Sequence, residues 1–157
     1  MRLSRSFFGL VIMGIALCGL LPRATAEPND ASERAIRAAL EKWTADFNAG
    51  NAQAACGLFS PELRYDFRGH PERNYGDICS LLHRSLGDRT KKYSYSLEIR
   101  EVLVSGELAV VRLVWRLRTS AVGIPGSSAE SIEPGMDIFR RQADGSWKII
   151  RYIAYEE

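Results

Sequence analysis

From residue 32 onward the apolar positions keep first a helical and then an alternating rhythm. Ile36, Leu40, Trp43 and Phe47 recur at three- and four-residue steps, with Arg34, Arg37, Glu41 and Lys42 largely elsewhere, which predicts an amphipathic helix from about Ser32 to Ala49. Asp30 and Glu33 have the spacing of a capping box, and Asn48-Ala49-Gly50 ends the helix. Asn51 can cap a short second helix through Ala55 and Leu58 to Phe59, stopped by Pro61. Leu63, Tyr65 and Phe67 alternate with Arg64, Asp66 and Arg68, the pattern of a half-buried strand. Gly69 to Asn74 reads as a polar loop, and Asp77 to Leu86 as a third helix closed by Gly87.

Everything after that reads as strand. Tyr93, Tyr95, Leu97 and Ile99 alternate with polar residues, and Val102 and Val104 continue out of phase, as a bulge near Glu101 would make them. Ser105-Gly106-Glu107 turns the chain into Leu108–Thr119, where Ala109, Val111, Leu113, Trp115 and Leu117 share one face. A Gly/Pro/Ser-rich loop at 121–128 precedes a strand around Met136–Arg141, and Asp144-Gly145 leads into Trp147–Tyr155. Helices gathered before a run of antiparallel strands predict an α+β fold with the helices on one face of the sheet. The last strands are apolar on both faces. Leu108, Val110 and Val114 oppose the inward set, and Ile149 and Ile153 oppose Ile150 and Tyr152. Such a second face needs a cover, for which a second copy of the chain is the simplest source.

The first residues follow a different rule. Arg2 and Arg5 precede fifteen uncharged residues, Phe7 to Leu21, then Pro22 and the small triplet Ala24-Thr25-Ala26. This is the order of a secretory signal peptide cleaved after Ala26. As a helix the apolar run spans about 22 Å, short of the ~30 Å hydrocarbon core. A lipoprotein signal would use Cys18, but Leu17 stands where that processing wants a small residue. The expectation is therefore a leader at 1–26, a single domain at 27–157 and a periplasmic or secreted location, with no membrane span after cleavage.

Composition sharpens this in two places. Of 157 residues 46% are hydrophobic and 25% charged, ordinary globular values that exclude a disordered or multi-span membrane protein. Taking the three leader arginines from the 21 basic residues leaves 18 against 19 acids, so nothing marks a nucleic-acid binder. Cleavage also leaves an even pair, Cys56 and Cys79, which in an oxidising compartment reads as a disulfide. A bridge over this loop would contribute ~3 kcal/mol in the chain-entropy model. The alternative is two buried thiols acting as small core residues.

Three stretches carry a resemblance: Trp43-Thr-Ala-Asp-Phe-Asn-Ala-Gly-Asn51 running into Cys56-Gly-Leu-Phe59, Val104-Ser-Gly-Glu-Leu-Ala-Val-Val-Arg112, and Gly135-Met-Asp-Ile-Phe-Arg-Arg-Gln-Ala-Asp-Gly-Ser-Trp-Lys-Ile149. They resemble the SnoaL-like, or nuclear transport factor 2-like, superfamily, which includes ketosteroid isomerases and polyketide cyclases. The resemblance implies a cone, a curved sheet wrapped against three helices with a pocket at its open end, often in a dimer. It implies no single activity. In the isomerases the acid matching Asp137 is a hydrogen-bond donor kept protonated by an apolar site. Trp43 stands where they have a donor tyrosine, and Phe67 where they have the base, with Asp66 one residue away on the other strand face.

Signatures for phosphate loops, dinucleotide sites, serine elbows and zinc are absent, and no cofactor or metal is expected. With only two histidines, His83 reads as a surface or packing residue and His70 as part of a solvated loop. The candidate chemistry is Asp137, sharing a strand face with Phe139, and more weakly Asp66. The candidate pocket is Trp43, Phe47, Tyr65, Phe67, Trp115, Phe139 and Tyr152. These support three function classes. One is an exported dimer binding a small hydrophobic or aromatic molecule. Another is a lyase or isomerase using Asp137 as acid or base. The last is a structural or partner-binding dimer whose cone is filled by its own side chains.

Overall fold

The computed structural model describes residues 29–157; the leader expected at 1–26, the expected cleavage site and Cys18 lie outside the described residues. Three helices, α1 (Asn29–Asn48), α2 (Ala52–Cys56) and α3 (Tyr75–Gly87), are combined with six strands: β1 (Phe59–Phe67), β2 (Arg73–Asn74), β3 (Lys91–Ser105), β4 (Leu108–Ala121), β5 (Ala129–Arg141) and β6 (Trp147–Ala154). They form one curved sheet in the order β2-β1-β6-β5-β4-β3, antiparallel except where β1 runs beside β6. This is the α+β fold that the element order predicted, in the cone shape that the resemblance implied.

The long helix forms where the periodicity put it, burying Ile36, Leu40, Trp43 and Phe47. Burying each such side chain contributes about 1.5–3 kcal/mol. At the end of α1 the Asn48 amide exchanges two hydrogen bonds with the backbone of Tyr95, at 2.9 and 2.8 Å. The side chain thus takes the place of a neighbouring strand on the sheet edge and ties helix to β3. Pro61 does not end a helix. It lies within β1, where the pairing with β6 is interrupted between Phe59 and Arg64 and its missing N–H is not needed. The expected polar loop holds the two-residue β2, whose Asn74 caps α3 in a capping box with Asp77.

Two bulges decide which side chains face inward. The first leaves Arg100 out of the β3–β4 register, where the phase change in the sequence asked for it. The second was not legible. Ile138 pairs with Arg151 but Phe139 pairs with Ile149, so Ile150 is the extra residue in β6. Ile149 and Tyr152 therefore both face the concave side, and Ile149 belongs to the core rather than to the outer face expected for it.

On that outer face Leu103, Val110 and Ile138 stand in register across three strands, with Leu108, Met136 and Ile153 beside them. Leu103 and Ile153 are 57% and 63% exposed, whereas Val114 is already covered at 2%, between Glu98 and Pro134 in register.

Candidate functional site

The concave side of the sheet with helices α1 and α3 bounds a cavity of about 480 Å³. One wall is an aromatic cluster. The Trp43 ring lies 4.8 Å from Trp115, 5.2 Å from Phe47 and 5.5 Å from Tyr95, measured between ring centres. Opposed to it, Tyr65 and Tyr152 stack at 4.3 Å. Ile78 and Leu82 of α3 close the helical side, and His70, Arg73 and Leu81 stand at the mouth. A cavity this large is not a cone filled by its own side chains, and its apolar lining with few polar groups has the character of a small-molecule site.

The carboxyl groups come from β5, where Glu133, Gly135 and Asp137 occupy alternate positions and so share the inward face. Asp137 is only 5% exposed and makes no hydrogen bond or ion pair among the described residues. Burial pushes its carboxyl up to about 7, because the charged form loses water and gains no partner. The arginines that could have paired with it point away. Arg112 bonds Glu101, Arg116 approaches Glu98, and Arg151 bonds the Glu62 carbonyl. Tyr152, its register partner on β6, has its hydroxyl pushed well above the ordinary range, first by burial and then by Tyr65 and Asp137. Glu133 accepts hydrogen bonds from the Tyr95 hydroxyl at 3.1 and 3.3 Å. Burial raises its carboxyl and Glu156 adds to this, while the Tyr95 bond opposes it. Two buried donors, the Trp43 indole N–H and the Tyr65 hydroxyl, have no well-aligned partner, the Tyr65 hydroxyl lying beside that of Tyr152. Each such group costs about 1–3 kcal/mol while unpaired.

Of the residues nominated from sequence, Trp43, Phe47, Tyr65, Phe67, Trp115 and Tyr152 line the cavity together with Asp137. Phe139 does not. It lies two residues further along β5, roughly 7 Å from Asp137, where the apolar core has closed and exposure is 0%. Asp66 does not either. It is exposed on the opposite face of β1, in a shallow depression with Arg68 and Ile153. His70, read as a solvated loop residue, stands at the mouth with its ring 5.9 Å from Phe67 and its Nδ1 2.8 Å from Arg73. Glu133 and Tyr95 went unnoticed. The alternation Glu133, Gly135, Asp137 on one strand face was the signal, hidden because the strand was begun at Met136 rather than Ala129. Among the described residues no group of three or more His, Cys, Asp or Glu side chains could hold a metal ion.

The helices bring Cys56 of α2 and Cys79 of α3 into contact, but as free thiols, so the disulfide is not formed here. Burial and the neighbouring Cys79 push the Cys56 thiol up to about 12, and the Tyr75 hydroxyl bonds Cys79.

The SnoaL-like domain family matches this chain over residues 40–152. No curated protein matches it. Solved structures do. A conserved protein from Planctomyces limnophilus is 18% identical with a TM-score of 0.70, over 82% of this chain and 98% of its own. A ketosteroid isomerase-like protein from Erwinia carotovora atroseptica is 20% identical with a TM-score of 0.64, over 78% and 94%. A protein assigned provisionally as a scytalone dehydratase, from Novosphingobium aromaticivorans, is 18% identical with a TM-score of 0.63, over 82% and 86%. At these identities the likeness is one of fold.

Proposed function

The chain belongs to the SnoaL-like domain family, and from that premise we propose that it is an exported binding domain whose cavity takes a small hydrophobic or aromatic molecule oriented by Asp137. The observation that carries this reading is a roomy apolar cavity with one buried, unpaired carboxyl on its wall. Apolar burial drives entry, and the unpaired Asp137 carboxyl fixes direction, since a ligand hydroxyl or carbonyl there ends the isolation of a desolvated acid. The test is native mass spectrometry of protein purified from the cell envelope. It should find a small molecule retained by wild type and lost from Asp137→Asn. A protein that leaves the envelope empty and binds no aromatic probe in solution contradicts the reading.

A second reading, a lyase or isomerase, draws on the same acid. A carboxyl near 7 can both give and take a proton at neutral pH, and Tyr152 stands beside it. The isomerase-like and dehydratase-assigned neighbours support that class by fold alone. Turnover that follows a single ionisation near 7 and vanishes in Asp137→Asn would establish it.

The proposal extends to assembly and redox state. The exposed apolar ladder is flanked by the Arg112–Glu101 and Arg116–Glu98 pairs. A patch with both signs beside apolar ground suits a two-fold copy of itself, in which each charge meets its opposite. In an oxidising compartment the more accessible Cys79 thiol attacks an external disulfide and is then resolved by Cys56, the two thiols passing two electrons and two protons to that disulfide.

A further inference from the structure

The cavity has a second polar end, built differently from the first. Asp137 stands alone, whereas Glu133 is held by Tyr95, and Tyr95 is in turn held at its backbone by Asn48 and at its ring by Trp43, Phe47 and Trp115. Between the acids lies Gly135. A Cβ there would stand 3.1 Å from the Ile153 carbonyl oxygen and 3.5 Å from Ala154 Cβ, so the floor is bare backbone because a side chain would crowd β6. Four residues of strand separate the acids by about 13 Å between Cα atoms. Carboxyl groups at about that spacing, each with a hydrogen bond of about 2.7 Å to the ligand, call for polar atoms roughly 8 Å apart on the ligand.

We infer that the cavity recognises a flat, largely apolar molecule bearing a hydrogen-bonding group at each end, one at Asp137 and the other at Glu133, with Tyr95 as the positioning residue for Glu133. This rests on the pocket reading proposed above and adds the length and polarity of the ligand. Because the Tyr95 hydroxyl donates to Glu133, the carboxylate's remaining lone pairs are presented to a ligand donor. The groups facing Glu133 are Tyr95 from β3, Ser131 from its own strand and Glu156 from the tail. None of them is cationic, so nothing saturates the carboxylate. A phenol or alcohol fits that end better than a second acid, which Glu133 and Glu156 would repel.

The experiment uses three probes of one ring system, naphthalene, 2-naphthol and 2,6-dihydroxynaphthalene, with binding read from the fluorescence of Trp43 and Trp115. Wild type should bind the dihydroxy probe about tenfold more tightly than 2-naphthol. Glu133→Leu should abolish that advantage, and Glu133→Gln, which keeps a carbonyl acceptor, should restore part of it. Tyr95→Phe keeps every ring contact and should reduce the advantage to about twofold; a merely structural role would weaken all three probes alike. Binding of the probes with no dependence on Glu133 overturns the two-ended site and leaves the pocket reading standing. Failure of every probe to bind wild type overturns both.

Discussion

The two faces of β5 invert the usual rule for a half-covered sheet. Inward, where apolar residues belong, the strand carries Glu133 and Asp137; outward, where water is expected, it carries Ile132, Pro134, Met136 and Ile138. Neither arrangement helps the isolated chain. Desolvating an unpaired carboxyl costs stability, and an exposed apolar ladder invites aggregation. Two separate departures on one strand are what the proposal accounts for, with a ligand on one side and a second copy on the other. The β3–β4 hairpin shares the outer ladder through Leu103, Leu108 and Val110, but it departs from the rule on one face only: beyond the ladder its outer face carries paired charges, and its inner face keeps aromatic residues.

The sharpest way to break this comparison is along the inward face itself. Phe139→Ala should cost about 3–5 kcal/mol in denaturant unfolding, because a fully buried ring leaves a cavity. Two residues away, Asp137→Asn should do the opposite. A buried acid whose folded-state ionisation is raised favours folding while protonated, so stability is intact below about pH 4 and is lost as pH rises from the ordinary 3.8 towards 7. The asparagine variant should therefore match wild type at pH 4 and exceed it at pH 8 by up to about 4 kcal/mol. A wild type whose stability rises across that interval would place a cation beside Asp137.

On the outward face, Val110→Glu should turn a wild-type dimer into monomer or insoluble protein in sedimentation velocity, since it sets a charge at the centre of the Leu103–Val110–Ile138 ladder. A wild type that stays monomeric at high concentration removes the interface. The smallest effect is expected at Gly135. Gly135→Ala forces a methyl against the Ile153 carbonyl and should cost about 1 kcal/mol, while weakening long probes more than short ones.

The fold was largely legible because its determinants are local. The Ile36–Phe47 stripe, the alternation in β3 and β4 and even the phase slip at Arg100 are written in the order of residues. What escaped was set by pairing. The extra residue at Ile150 obeys no local pattern, and it alone decides that Ile149 and Tyr152 face the same side. Half the site was hidden for the same reason. Asp137 stands out as an acid in an apolar run, but Glu133 sits among Ser131, Pro134 and Gly135, where polar residues suggest a loop and only the ladder with β4 makes a strand. His70 reaches the mouth because β2 folds its loop back onto β1, and two residues of strand leave little trace in a sequence.

The central claim is that Asp137 lines an apolar cavity without a counter-ion, and the most direct measurement is an NMR titration of its carboxyl carbon, repeated with 2-naphthol bound. The account predicts a midpoint near 7 in the free protein that moves on binding. A midpoint at or below the ordinary 3.8, unmoved by the probe, would contradict it and assign Asp137 to a structural ion pair.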